Sequence, residues 1–401
     1  MDGVLTLIMF FVLLFLGVPV AYTMIFTSGL YLLTNGFPIL VMIQRMGNAM
    51  NSITLLAVPT FILAGFIMNR GGLTRHLFNA VNCTRIGKMR GGLAQVNVVA
   101  SLIFAGMSGA ALADLGGLGS IELQAMRDKN YKDDDAIAVT LASSAIGPIF
   151  PPSVPMLIYA LVASVSGVKI LLAGIVPGIL LTLTLMAMVA YFARTRSYPR
   201  GDVSFTKKEA RKIKLSGMPA LIAPIILLSG LFSGSFSPTE LACVAVVYSL
   251  FVGIFFYKGM NLKNFIAAAG ETIDTVTNTL FILTGATIFA FVLTIEQVPQ
   301  TFGNAVLSIV SSKIMLILLL NVVLLVVGML MDTGTALLIF TPIFLPIMTR
   351  MGMDPIQLGI IMTLNLVIGL YTPPFGVCLF MSSTMIKRPV EKIVKAMTPY
   401  Y

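Results

Sequence analysis

The feature that most constrains this chain is a pair of helix-breaking stretches set inside apolar runs and present twice. Gly328-Met329-Leu330-Met331-Asp332-Thr333-Gly334 and Ile368-Gly369-Leu370-Tyr371-Thr372-Pro373-Pro374-Phe375-Gly376 place Asp, paired Pro and clustered Gly where a spanning helix has no use for them. In hydrocarbon every backbone N–H and C=O must be satisfied, so a broken helix survives there only where protein buries it or it lines a cavity. Gly106-Met107-Ser108-Gly109 stands 222 residues before Gly328-Met329, and Ile146-Gly147-Pro148-Ile149-Phe150-Pro151-Pro152 stands 222 before the second stretch. Phe61-Ile62-Leu63-Ala64-Gly65 recurs at an offset of 220 as Phe281-Ile282-Leu283-Thr284-Gly285. Duplicated halves interrupted at corresponding places point to a secondary transporter whose site lies at the interruptions.

The chain is 57% hydrophobic and only 10% charged, against about 25% charged in soluble domains, which makes it a polytopic membrane protein. The net charge of +10 sits mostly in a few loops, where Lys and Arg report membrane orientation and not nucleic-acid binding. Cys83, Cys243 and Cys378 are unpatterned and His76 is the only histidine, so neither a disulfide framework nor a transition-metal site is expected. With no nucleophile–base pair at membrane depth, an enzyme is not expected either.

Taken in order, Val4–Leu33 reads as one long scaffold helix kinked at Gly17-Val18-Pro19, in preference to two halves, and Ile39–Ser52 as a helix lying along the interface. Leu55–Met68 crosses to Arg70–Arg90, a cytoplasmic loop of five basic residues and no acid. Residues 93–127 form a hairpin breaking near Gly106–Gly109; each arm is too short for the roughly 20 residues of a span, so it is expected to re-enter. Residues 136–168 are a broken helix. Ile170–Phe192 then returns to a basic linker, 194–214, and Leu221–Phe232 and Leu241–Phe256 follow, the former without a clear partner in the first half. The second copy is inverted. Phe265–Val276 is the counterpart of the interfacial helix, Leu280–Leu293 crosses, residues 313–349 form the second hairpin and 357–386 the second broken helix, with a basic cytoplasmic segment at 387–401. Transport elements thus fall at 54–169 and 277–386, and scaffold at 1–53 and 170–276.

The motifs that carry a resemblance are Arg90-Gly91-Gly92-Leu93-Ala94-Gln95-Val96-Asn97, Phe104-Ala105-Gly106-Met107-Ser108-Gly109-Ala110-Ala111-Leu112-Ala113-Asp114, Ser143-Ser144-Ala145-Ile146-Gly147-Pro148, and Asn365–Gly376. Through them nearly the whole chain resembles the large membrane subunit of tripartite ATP-independent periplasmic (TRAP) transporters, the DctM-like family. Ala110 and Gly116-Gly117 depart from the polar or Ala-rich hairpin tip of that family. The resemblance also implies one more apolar helix beyond Pro399-Tyr400-Tyr401. It implies an elevator-type carrier in the bacterial inner membrane that imports an organic acid, such as a C4-dicarboxylate or sialic acid, driven by sodium ions. A periplasmic substrate-binding protein and a small four-helix membrane subunit are its implied partners.

Half-helix ends expose carbonyls that attract cations and N–H groups that attract anions. Ser108, Gly109, Ser143, Ser144, Gly147 and Pro151 are the candidates for a first sodium site. Gly328, Asp332, Thr333, Gly369, Thr372 and Pro373 are the candidates for a second. Ser108, Asp114, Pro152, Ser153, Thr335 and Pro374 are the candidates for the substrate. The plainer reading is that Gly and Pro mark kinks and close packing. Asp114 and Asp332 are open to three readings: sodium ligand, proton carrier, or a cap on the next half-helix. A carrier acting alone, coupled to ions or protons, is the rival expectation.

Overall fold

A computed structural model of the chain describes residues 2–51, 53–196, 198–200, 206–298, 300–301, 304, 312–373 and 376–401. Pro374 and Phe375 lie outside the described residues. Among those described the chain is all-α, apart from one isolated bridge between Arg90 and Arg200. Among the described residues six helices are long and apolar enough to cross a membrane.

The N-terminal run is two helices, α1 (Gly3–Phe15) and α2 (Val20–Thr34), which corrects the expected single kinked one. Gly17 takes a left-handed φ of 84°, and Val18 N–H reaches back to Leu13 O at 3.1 Å. This is the bonding of a glycine-terminated helix end, and Pro19 then bars continuation. The two helices run antiparallel, because Gly3 at the start of α1 and Tyr31 near the end of α2 both donate to Glu296. The next helix, α3 (Ile39–Met50), buries none of its residues, as suits a helix at an interface. Then come α4 (Ala57–Arg70) and α5 (Leu73–Asn82), the latter a helix inside the basic loop.

The first hairpin is α6 (Gly92–Ser108), a turn at Gly109-Ala110, the short α7 (Ala111–Ala113), a π turn over Asp114–Leu118, and α8 (Gly119–Asp128). The first broken helix is α9 (Asp133–Ser144) and α10 (Val154–Ala163). Asn97 and Ser101 of α6 bond to Thr140 and Ser143 of α9, so these two helices run parallel. Gly119 packs on Thr140 while Asp128 adjoins α9's start. The return arm α8 is therefore antiparallel to both.

Between the copies lie α11 (Gly167–Ala173), α12 (Ile175–Thr195), α13 (Lys207–Ser233) and α14 (Pro238–Phe251). The last part of the expected basic linker is thus helical: Thr206 and Glu209 form a reciprocal capping box that starts α13 early. The expected second interfacial helix is likewise not separate. It continues through Thr277-Asn278-Thr279 as α15 (Leu262–Ile295), 34 residues or about 51 Å long. No proline interrupts this stretch, and Thr272, Thr275 and Thr279 return their hydroxyls to carbonyls four residues back. Arg70 pairs with Glu271 to fix the helix laterally.

The second copy is α16 (Lys313–Leu330), a turn at Met331-Asp332, α17 (Thr333–Arg350), then the halves α18 (Pro355–Gly369) and α19 (Val377–Ile386), followed by α20 (Val390–Met397). Helix ends recur at the sequence offset: α6 and α16 stop at Ser108 and Leu330, and α8 and α17 at Asp128 and Arg350. The distal halves stop in the same conformation, one residue off that spacing. Ser164 and Lys387 each take a left-handed φ of 54°.

Candidate functional site

Each broken helix begins at the base of its own hairpin and ends at the base of the other. In the first copy α9 starts beside Asp128, and Tyr159 of α10 donates to Pro355 O at 2.6 Å, where the second hairpin closes. In the second, Lys313 reaches Gly352 O at 3.1 Å across that base. Beyond α19, Arg388 pairs with Asp134 at 3.0 Å and Asp133 at 3.3 Å, at the base of the first hairpin. The two bases thus lie at opposite ends of both broken helices, with all four breaks between them.

At the first break the hairpin tip is held by main chain. Gly109, at φ 63°, accepts from Val154 N at 3.1 Å, and a Cβ there would stand 2.0 Å from Pro152 O. Only glycine fits. Gly147 lies over Ala110 O, and Ser153 caps α10 through Met156 N at 3.2 Å while donating to Pro148 O. Pro151 and Pro152, joined by a cis bond, line an apolar cleft with Phe61 and Leu227. Ser143 donates to Asn97 at 2.6 Å, and Ser108 Oγ is buried with no hydrogen-bond partner among the described residues.

At the second break Gly328 and Gly369 touch backbone to backbone: a Cβ on Gly369 would come within 2.3 Å of the Gly328 carbonyl carbon. Asn321 and Asn365 join hairpin to broken helix, matching the Asn97–Ser143 bond of the first copy. Asp332 accepts from Thr335 N at 3.0 Å and from the Thr335 hydroxyl, so it caps α17; the carboxylate is exposed. Thr333 and Thr335 are buried, Thr372 returns its hydroxyl to Ile368 O at 2.8 Å, and Pro373 is exposed. Gly334 packs on Ile158 of α10, so the second tip leans on the first copy's broken helix.

The copies also meet at their centres. Ser144 Oγ lies 3.3 Å from the Tyr371 phenol, and Asp114 is near enough to Tyr371 and Cys378 to interact with both electrostatically. The glycines that depart from the expected tip have a packing reason: Gly116 faces Met381, and Gly117 receives the Asn69 amide. Sequence reasoning missed Glu122, fully buried in α8, and the supporting amides Asn97, Asn321 and Asn365. A carboxyl or amide inside the apolar hairpins 93–127 and 313–349 or the broken helix 357–386 was the available signal. Hydroxyls, carbonyls and half-helix ends therefore converge with no Lys or Arg in either break, a donor set suited to a hard monovalent cation and to a carboxylate.

This chain is 38% identical to the sialic acid TRAP transporter large permease protein SiaM of Vibrio cholerae, over 96% of this chain and 90% of that one. It is 38% identical to the C4-dicarboxylate TRAP transporter large permease protein DctM of Pseudomonas aeruginosa, over 86% and 81%. Against the sialic acid TRAP transporter permease protein SiaT of Haemophilus influenzae it is 36% identical over 99% of itself and 64% of that longer chain. Its fold is similar to the crystal structure of the Alcanivorax borkumensis YdaH transporter, with a TM-score of 0.66 over 90% of this chain and 84% of that one, at 16% identity. The three sequence relatives are named as transporter permeases, and the helices match a multi-pass protein of the bacterial inner membrane. Residues 7–401 match the family described as tripartite ATP-independent periplasmic transporter, DctM component, and the chain belongs to that family.

Proposed function

We propose that this permease imports an organic acid with sodium ions by an elevator movement, in which hairpins and broken helices carry the cargo past the outer helices. The observation that carries the reading is the meeting of all four breaks between two oppositely placed hairpin bases. Such a centre offers carbonyls and the Asp332 carboxylate to a cation, and N–H groups and hydroxyls to a carboxylate, with no Lys or Arg in either break. Relatives named for sialic acid and C4-dicarboxylates support an acid as cargo. Ser108, Ser143 and Ser144 with the carbonyls around Gly109 and Gly147, and Pro151, are proposed for one sodium ion. Thr333, Thr372, Asp332, Gly328, Gly369 and Pro373 are proposed for a second. Asp114, Pro152, Ser153 and Thr335 are proposed to face the substrate.

A small membrane subunit and a periplasmic binding protein complete the proposed assembly. The test is uptake of labelled acid into proteoliposomes holding this chain and the small subunit, with and without a sodium gradient and the binding protein. Uptake that needs both supports the reading. Uptake indifferent to both overturns it in favour of a carrier acting alone.

A further inference from the structure

The return arm of the first hairpin carries two buried acids with no cation beside them, and the Ser101 hydroxyl is the polar side chain that comes up against Asp114. Asp114 is 1% and Glu122 0% exposed, and none of their four carboxyl oxygens has a hydrogen-bond partner among the described residues. They lie close enough to interact with each other. Several other acids among the described residues are engaged: Asp133 and Asp135 with arginines, Glu271 with Arg70, Glu296 with Tyr31, and Asp332 and Asp354 as helix caps.

The elements packed on the arm bring no positive charge to it. From α6 come Asn97 and Ser101, and from α9 Thr140, whose helix keeps its acids paired at the far end. From α5 comes Thr74, bonded to Asn69, while Arg75 is exposed and His76 is stacked on Tyr257. Cys378 of α19 and Tyr371 are the remaining titratable neighbours, and both are neutral acids at physiological pH. Arg127 of α8 itself is paired with Asp133. An ionised carboxylate facing hydroxyls and apolar side chains, with no positive side chain beside it, is far costlier than a neutral one.

We propose that Asp114 and Glu122 form a proton-binding site within the first hairpin, holding both carboxyls neutral so that the arm moves through the bilayer uncharged. The π turn at Asp114–Leu118, a device frequent at functional sites, sets where Asp114 lies. The inference deepens the transport reading and rests on it for the movement, but the protonation itself is testable apart from uptake.

Infrared difference spectroscopy on the full chain in lipid is the test. At neutral pH we expect a protonated-carboxyl C=O band that shifts on deuteration. It should diminish in Asp114→Asn and in Glu122→Gln and vanish in the double variant. Carbon-13 labelling of all aspartate or all glutamate splits the band without any substitution, so the test survives a variant that fails to fold. A spectrum without the band, or a band untouched by labelling and substitution, overturns the proposal. Sodium-driven uptake with no such band would defeat this inference alone; the band without sodium-driven uptake would defeat the transport reading alone.

Discussion

Ser144 and Tyr371 stand 3.3 Å apart, hydroxyl to phenol, and join the fracture of the first copy to that of the second. Ser144 already donates to Leu141 O at 2.9 Å, which leaves the phenol as donor. The Tyr371 carbonyl in turn accepts from Tyr401. A hydroxyl pair between residues more than half the chain apart is what ties the inverted copies together at their centres.

Removing that bond has a defined size. Tyr371→Phe keeps the ring packed and is expected to cost about 1 kcal/mol, with Ser144→Ala costing as much. The double variant should lose little more than either single one, giving a coupling energy near 1 kcal/mol in a double-mutant cycle of denaturation. Fully additive losses would mean that the two hydroxyls act separately.

The glycines divide by what a side chain would strike. Gly109→Ala puts a methyl against Pro152 O in a left-handed backbone position, and Gly369→Ala drives one into the Gly328 backbone. Both are expected to abolish uptake and to destabilise the fold by about 2 kcal/mol or more. Gly352 also has positive φ, 72°, but open space around it; Gly352→Ala should cost only about 1 kcal/mol and preserve uptake. Equal losses at all three positions would contradict the close approach at the breaks.

Asp332 is a helix cap, and its replacement should behave as one. Asp332→Ala is expected to lower stability by about 1 kcal/mol, while Asp332→Asn, which can still accept from Thr335 N, loses only a few tenths. Thermal melting in lipid without sodium, where only the cap is at stake, distinguishes the two. Equal losses would assign the effect to charge and not to capping.

His76 supplies a pH dependence from outside the spans. Burial, and then the Arg75 charge, hold its imidazole below the ordinary value of 6.5. The unfolded chain therefore takes up the proton first as pH falls. This contribution to stability should be intact above that value and decline below it. His76→Gln should flatten the decline, read as melting temperature against pH. A slope unchanged in the variant would place the titration elsewhere.

Much of this was legible before any coordinates, and the reason is physical. A membrane leaves so few ways to break a helix that Gly109, Pro151-Pro152, Gly328 and Gly369 mark the centre through sequence alone, and the repeat spacing fixes their order. What escaped was decided by tertiary partners. Gly17 and Pro19 signal an interruption, but only Glu296, gripping both Gly3 and Tyr31, makes α1 and α2 fold back on each other. Thr277-Asn278-Thr279 looks like a boundary, yet side chains that bond to their own helix carry α15 straight through. Glu122 was hidden because one acid in an amphipathic arm resembles a solvated face until its surroundings are known.

The most direct test of two cation-holding fractures is a sodium titration of melting temperature in Ser143→Ala, Thr372→Val and the exposed control Ser229→Ala. A ligand that binds only the folded state raises the midpoint with its concentration. Sodium should stabilise the unaltered chain and the Ser229→Ala control equally, and each of the other two variants should lose part of that gain. No sodium-dependent rise, or the same rise in all four proteins, would contradict sodium binding at the breaks.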